Sequence, residues 1–165
     1  MKTILSNVFY TSPILFTLMF AILAFLHFKT FWIACIIGSL CEFFIIGPLL
    51  KMITIKTKTA SLRPINQNER MCYKHNGMPS GHTSNAVFCM VLVLYYVINC
   101  SKSYVKNFAI LLVSVGIVAG VAWQRIHTEM HSAKQVGIGS LVGVLEGVFF
   151  ISVYMLCEKG RSVCK

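Results

Sequence analysis

Residues 79–100 read PSGHTSNAVFCMVLVLYYVINC, a short polar turn that runs directly into an apolar segment. The segment is close to the length of about 20 residues that an α-helix needs to cross a bilayer. The turn before it has the makings of a helix start. Ser80 suits the N-cap position and Gly81 permits close backbone approach to a ligand. The first-turn amides and the helix dipole favour an anion at such a place, and His82 projects beside it. Without a ligand, the same residues make a capping turn with an interfacial histidine.

Outward from this stretch the pattern repeats. Further apolar stretches lie near 7–28, 30–50, 105–124 and 135–156, and together with 84–100 they predict about five spans. The expected fold is all-α, a polytopic transmembrane helical bundle forming one domain over 1–165. Residues 1–50 form a helical hairpin turning at Lys29, 51–156 a core, and 157–165 a polar tail. The first apolar stretch follows Lys2 and lacks a small-residue cleavage site, so it reads as a retained span. Composition agrees: 56% of the 165 residues are hydrophobic, 12% are charged, and the mean hydropathy is +0.73. The formal net charge is +10. In a chain this apolar, that charge fits topology or anionic headgroups, and nucleic-acid binding is not expected.

The long polar stretch 51–83 carries Lys51, Lys56, Lys58, Arg63, Arg70 and Lys74 with Pro64, Asn66, Asn68 and Gly77. Lys56 and Arg63-Pro64 have the spacing K-x6-R-P. Arginine offers a planar fork that fits phosphate oxygens, lysine a mobile point charge, and Pro64 stiffens the backbone beside Arg63. Loop cations that merely meet headgroups would look the same. A third polar cluster follows the fourth span: Arg125 and His131, with His127 and Gln135 each one helical turn from His131. Alone, His131 reads as either a passive interfacial residue or a nucleophile able to form phosphohistidine. Two spans separate the second and third clusters, so all three fall on one membrane face. Without Lys56, Arg63 and Arg125 the two faces carry equal numbers of cations, so charge bias sets no orientation.

Other residues narrow the chemistry. The acids are Glu42, Glu69, Glu129, Glu146 and Glu158, with no aspartate, too few and too scattered for a two-metal phosphatase site. No metal or cofactor is expected. His127 and His131 with Glu129 admit a zinc reading, but not in the zincin order and among cations that repel a metal. Seven cysteines include no CxxC and no cysteine-phosphatase spacing, and they read as small packing residues. Glu42 and Glu146 fall inside spans, where a carboxyl is costly and points to function by default; both lie away from the site mouth, and protonated or hydrogen-bonded packing roles fit equally well. Asn99-Cys100-Ser101 matches a glycosylation sequon by chance at the opposite face.

The three clusters in this order resemble the type 2 phosphatidic acid phosphatase superfamily, the lipid phosphatases related to vanadium haloperoxidases. The family pattern is K-x6-R-P, P-S-G-H and S-R-x5-H-x3-D. This chain has Lys56-x6-Arg63-Pro64, the complete 79–82 turn, and Gln124-Arg125-x5-His131-x3-Gln135. The resemblance implies that Lys56, Arg63 and Arg125 hold phosphate oxygens and that backbone around Ser80 and Gly81 completes the cradle. It implies that His131 attacks phosphorus and that His82 protonates the leaving oxygen and then activates water. Gln124 replaces a serine, and Gln135 replaces the aspartate that orients the nucleophile. Four residues on from His131, the Gln135 amide oxygen is placed to accept from the ring, fixing its tautomer without adding charge.

The strings 77–82 and 131–137 are similar to the dolichyl-diphosphatase branch, which typically has glutamine at this position. That likeness implies a polyprenyl diphosphate substrate at the endoplasmic reticulum membrane of a eukaryote, or the plasma membrane otherwise, with the site on the lumenal or extracytoplasmic face. A phosphatidic acid, glycerolipid or sphingolipid phosphatase is the alternative. The two glutamines also admit a lipid-phosphate-binding protein that has lost turnover, and transfer of the phosphoryl group to another acceptor is open. No pattern in the chain speaks to oligomeric state.

Overall fold

A computed structural model describes residues 11–27, 30–54 and 77–158. All regular structure among them is helical: α1 (Ser12–His27), α2 (Thr30–Thr54), α3 (Gly81–Cys100), α4 (Tyr104–His127) and α5 (Ala133–Cys157). The expected bundle is there, with a difference in the number of long spans. Four helices, α2 to α5, are long and apolar enough to cross a bilayer, and α1 is a shorter apolar helix of 16 residues. The chain is an integral membrane protein by this measure. Lys56 and Arg63, and with them the first sequence pattern, lie outside the described residues.

Helix bounds run a little beyond the apolar stretches, and this matters for the site. The second helix continues through Thr54, which places Lys51 on its last turn. The fourth continues to His127, which puts Arg125 on helix. The fifth begins at Ala133, which puts Gln135 in its first turn. Polar residues at a span end continue the helix because backbone hydrogen bonds do not depend on side-chain polarity.

One turn of α2, Glu42–Ile46, is a π-helix. Its closing bond runs from the Gly47 amide to the Glu42 carbonyl, five residues back. Pro48 follows at once. Proline lacks an N–H and crowds the carbonyl four residues earlier, so a widened turn before it lets the helix continue.

Packing is strongest between α3 and α5. Gly139 and Gly143 make this possible. A Cβ on Gly139 would stand 2.7 Å from the Ser80 carbonyl oxygen, and one on Gly143 would collide with the Ser84 carbonyl. The two backbones therefore touch, as small residues allow in helices that pack in lipid. Polar contacts add to the seam. Ser84 Oγ donates to Glu146 Oε2 at 3.2 Å, and Asn85 Nδ2 donates to Ser39 of α2 at the carbonyl (3.2 Å) and hydroxyl (3.1 Å). Glu42 is also buried here. Both intramembrane glutamates thus sit in a polar packing layer.

The apolar core lies toward the opposite end. Phe20, Phe31, Trp32, Cys35, Phe88, Cys89 and Leu92 form it. Trp32 meets Tyr96 with centroids 4.5 Å apart, and Phe31 meets Tyr154 edge-on at 5.2 Å. By contrast, α4 fully buries only Val121, Gln124 and Arg125, all in its last two turns, and is exposed or half-buried over the rest of its length.

Candidate functional site

Four helix ends and one short segment meet on a single face: the end of α2, residues 77–80, the start of α3, the end of α4 and the start of α5. Each junction is fixed by a specific bond. Thr54 Oγ1 donates to the Met78 carbonyl at 2.7 Å, tying the end of α2 to the 77–80 segment. The Ser80 amide donates to the Gln135 carbonyl at 3.2 Å, tying that segment to α5. The His131 amide donates to the Arg125 carbonyl at 3.1 Å, folding the α4–α5 turn back on itself. Glu129 sits in that turn with φ 56°, in the left-handed region, and is exposed. The second and third sequence clusters are therefore bonded to each other.

His131 is buried, 4% exposed. Its Nδ1 lies 2.7 Å from the Gly77 carbonyl oxygen. A carbonyl can only accept, so Nδ1 carries the hydrogen, and the neutral ring presents its lone pair at Nε2. The ring is thus held by backbone from the second cluster, a contact that spacing along the chain does not reveal. Gln135 is employed differently from the expected bond to the ring. Its Oε1 accepts from the Ser132 amide at 3.0 Å, and its amide donates to Ser132 Oγ at 3.3 Å, a closed capping box at the start of α5. Its side chain also packs under Gly77, where a Cβ would stand 2.5 Å from Nε2. Gln135 therefore supports the carbonyl that holds His131. Gly77 opens the 77–82 string of the sequence, but the part its carbonyl plays follows only from the fold.

Ser80 occupies the N-cap of α3, as expected, but does not cap with its side chain. Its Oγ pairs instead with Thr83 Oγ1 at 2.9 Å, and both residues are fully buried. The hydroxyl thus leaves the first-turn amides of a 20-residue helix to other partners. Gly81 and His82 follow, both partly exposed. The His82 ring meets Phe43 of α2 edge-on, centroids 5.5 Å apart. Arg125 is 2% exposed and Gln124 beside it is also buried. A guanidinium at this depth offers its planar fork where solvent competes little. His127 faces the other way: exposed, with its ring stacked on Trp123 at 4.7 Å. It diverges from His131, and no group of three metal-ligating side chains occurs among the described residues.

Comparison with known proteins agrees with the geometry. Residues 40–158 match the family model described as the PAP2 superfamily. Over 80 residues the chain is 36% identical to Dolichyldiphosphatase 1 of Dictyostelium discoideum, covering 47% of this chain and 35% of that relative. The aligned part is thus about a third of the relative's length. No solved structure matches. The family match takes in the end of α2, the 77–82 turn, Arg125, His131 and Gln135, and so the helix ends that meet at the candidate site. The chain belongs to the PAP2 superfamily.

Proposed function

We propose that the protein is a membrane lipid phosphatase that hydrolyses a polyprenyl diphosphate, of dolichyl type, through a phosphohistidine on His131. The observation that carries the reading is the Nδ1–Gly77 bond of 2.7 Å, which aims a lone pair at Nε2 from a buried ring. That is the preparation a nucleophilic imidazole needs.

In this reading the terminal phosphoryl group sits between His131, Arg125 and the amides at the start of α3. Lys56 and Arg63 supply further cations. His131 Nε2 attacks phosphorus. The bond to the bridging oxygen breaks, its electron pair stays on that oxygen, and protonated His82 gives it a proton. Neutral His82 then takes a proton from water as the water oxygen attacks the phosphohistidine. The P–N electron pair returns to His131, and inorganic phosphate leaves. Fixed donors and cations stabilise the charge of each transition state. Gln135 and Gly77 hold the nucleophile without adding negative charge. The apolar tail stays among the helices, and the match to Dolichyldiphosphatase 1 supports a dolichyl-type tail.

The deciding experiment measures phosphate release by the purified protein, with chelator present, from polyprenyl diphosphates and from glycerolipid phosphates. Release that favours the diphosphates supports the proposal. Preference for phosphatidic acid would move the chain to the glycerolipid reading, and binding without release would make it a phosphate-lipid receptor. Vanadate, which mimics pentacoordinate phosphorus, should inhibit at micromolar to low millimolar levels; an active but insensitive protein would exclude this chemistry.

A further inference from the structure

Gly81 opens α3 without a side chain, and the Lys51 ammonium lies next to the space it leaves. Lys51 Nζ is 3.9 Å from where a Cβ on Gly81 would stand. Lys51 belongs to neither K-x6-R-P nor any other pattern in the chain. It sits on the last turn of α2, partly buried, and Thr54 on the same turn bonds Met78. Phe43, earlier on α2, packs against His82. Thus α2 builds the His82 side of the site, while α4, α5 and Gly77 build the His131 side.

A cation beside the positive end of a helix is unfavourable by itself. It becomes favourable when an anion is shared between them. Lys51 also lies near enough to Glu42, on the same helix, for their charges to interact. That gives Lys51 one acidic neighbour within the span, so the test must separate the two roles.

We propose that Lys51 is a substrate-binding residue that selects a diphosphate over a monophosphate by holding the phosphate of the leaving group. The inference rests on the phosphatase reading above and names what that site would prefer. When His131 attacks the terminal phosphorus of a diphosphate, the departing group is a lipid monophosphate. His82 protonates its bridging oxygen, yet the remaining oxygens keep their negative charge. When a lipid monophosphate is attacked, the departing group is an alcohol, neutral once His82 has given its proton. A second cation on the His82 side therefore has a charge to hold in the first reaction and none in the second. The Lys51 ammonium is a mobile point charge in that position.

The test compares phosphate release from farnesyl diphosphate and farnesyl monophosphate by the full chain. The variants are Lys51→Met, Lys51→Arg and Lys51→Met combined with Glu42→Gln. Lys51→Met should lower kcat/KM for the diphosphate about 30-fold, the size of one charge-assisted contact, and that for the monophosphate about threefold. Lys51→Arg should recover most of the diphosphate rate. Equal losses on both esters would overturn the inference. So would restoration of activity by Glu42→Gln in the double variant, which would make Lys51 only a counter-charge. A wild-type protein that releases phosphate from neither ester would instead sink the phosphatase reading, and this inference with it.

Discussion

Two helices begin on the same face, each after a serine, and they begin differently. Ser132 caps α5 with its own side chain and Gln135 answers it, so that start is closed. Ser80 stands at the same place before α3, but its hydroxyl goes to Thr83. The closed start sits beside His131, buried and held at Nδ1 by Gly77. The open start carries His82, partly exposed and touched by Phe43. The contrast matches what the proposed mechanism asks of the two imidazoles. A nucleophile gains from one fixed geometry. A group that gives and takes protons needs access to leaving oxygen and water. An anion is best received at a helix start whose N-cap hydroxyl is turned elsewhere, as that of Ser80 is.

The largest expected effect separates the two histidines. His131→Ala should reduce phosphate release on the order of 10^4-fold or more at unchanged protein abundance, because no intermediate can form. His82→Ala should cost about 10^2- to 10^3-fold, and an aryl phosphate whose leaving oxygen needs no proton should recover much of it. Equal losses on both kinds of ester would erase the distinction between the two starts. Full activity in His131→Ala would remove the nucleophile altogether.

Next comes Gly77→Ala. The added carbon would meet the Gln135 side chain at 2.5 Å, so the Gly77 carbonyl must shift or Gln135 must move. Either displaces the acceptor of His131. We expect kcat to fall about 10- to 100-fold with little change in KM, since the ring is misaimed while the phosphate contacts stay. An unaffected kcat would show that the ring is oriented by something other than this carbonyl.

Which parts of this were legible in the chain follows from what sequence patterns encode. Apolar length marks spans, so α2 to α5 stood out, and the alternation of spans put the clusters on one face. The identities of His82, Arg125 and His131 stood out because such residues are costly at a membrane edge. The partners did not. Gly77 is 54 positions from His131, and its role as acceptor is a property of a backbone carbonyl, which every residue has. The spacing of four that makes Gln135 a ring partner holds only where both residues lie on one helix. His131 precedes the helix, so Gln135 caps instead. Lys51 lies in the polar stretch that the sequence marks as loop, whereas α2 extends through Thr54 and carries it on the last turn. The end of α4 was underestimated for a similar reason: its apolar pattern fades near 124, while its hydrogen bonds continue to His127.

The smallest effect tests whether the closed start acts on chemistry or only on stability. Ser132→Ala removes the oxygen that accepts from the Gln135 amide, while Gln135 Oε1 can still take the Ser132 amide. Loss of one such cap typically costs about 1 kcal/mol. His131 keeps both its ring bond to Gly77 and its amide bond to Arg125, neither of which passes through the Ser132 hydroxyl. The thermal midpoint in detergent should therefore fall by a few degrees while kcat stays within about threefold of wild type. If kcat fell tenfold or more with the midpoint unchanged, the cap would be acting on the imidazole directly. The two helix starts would then differ in how they take part in the reaction, and the closed one would no longer be the passive support described for it.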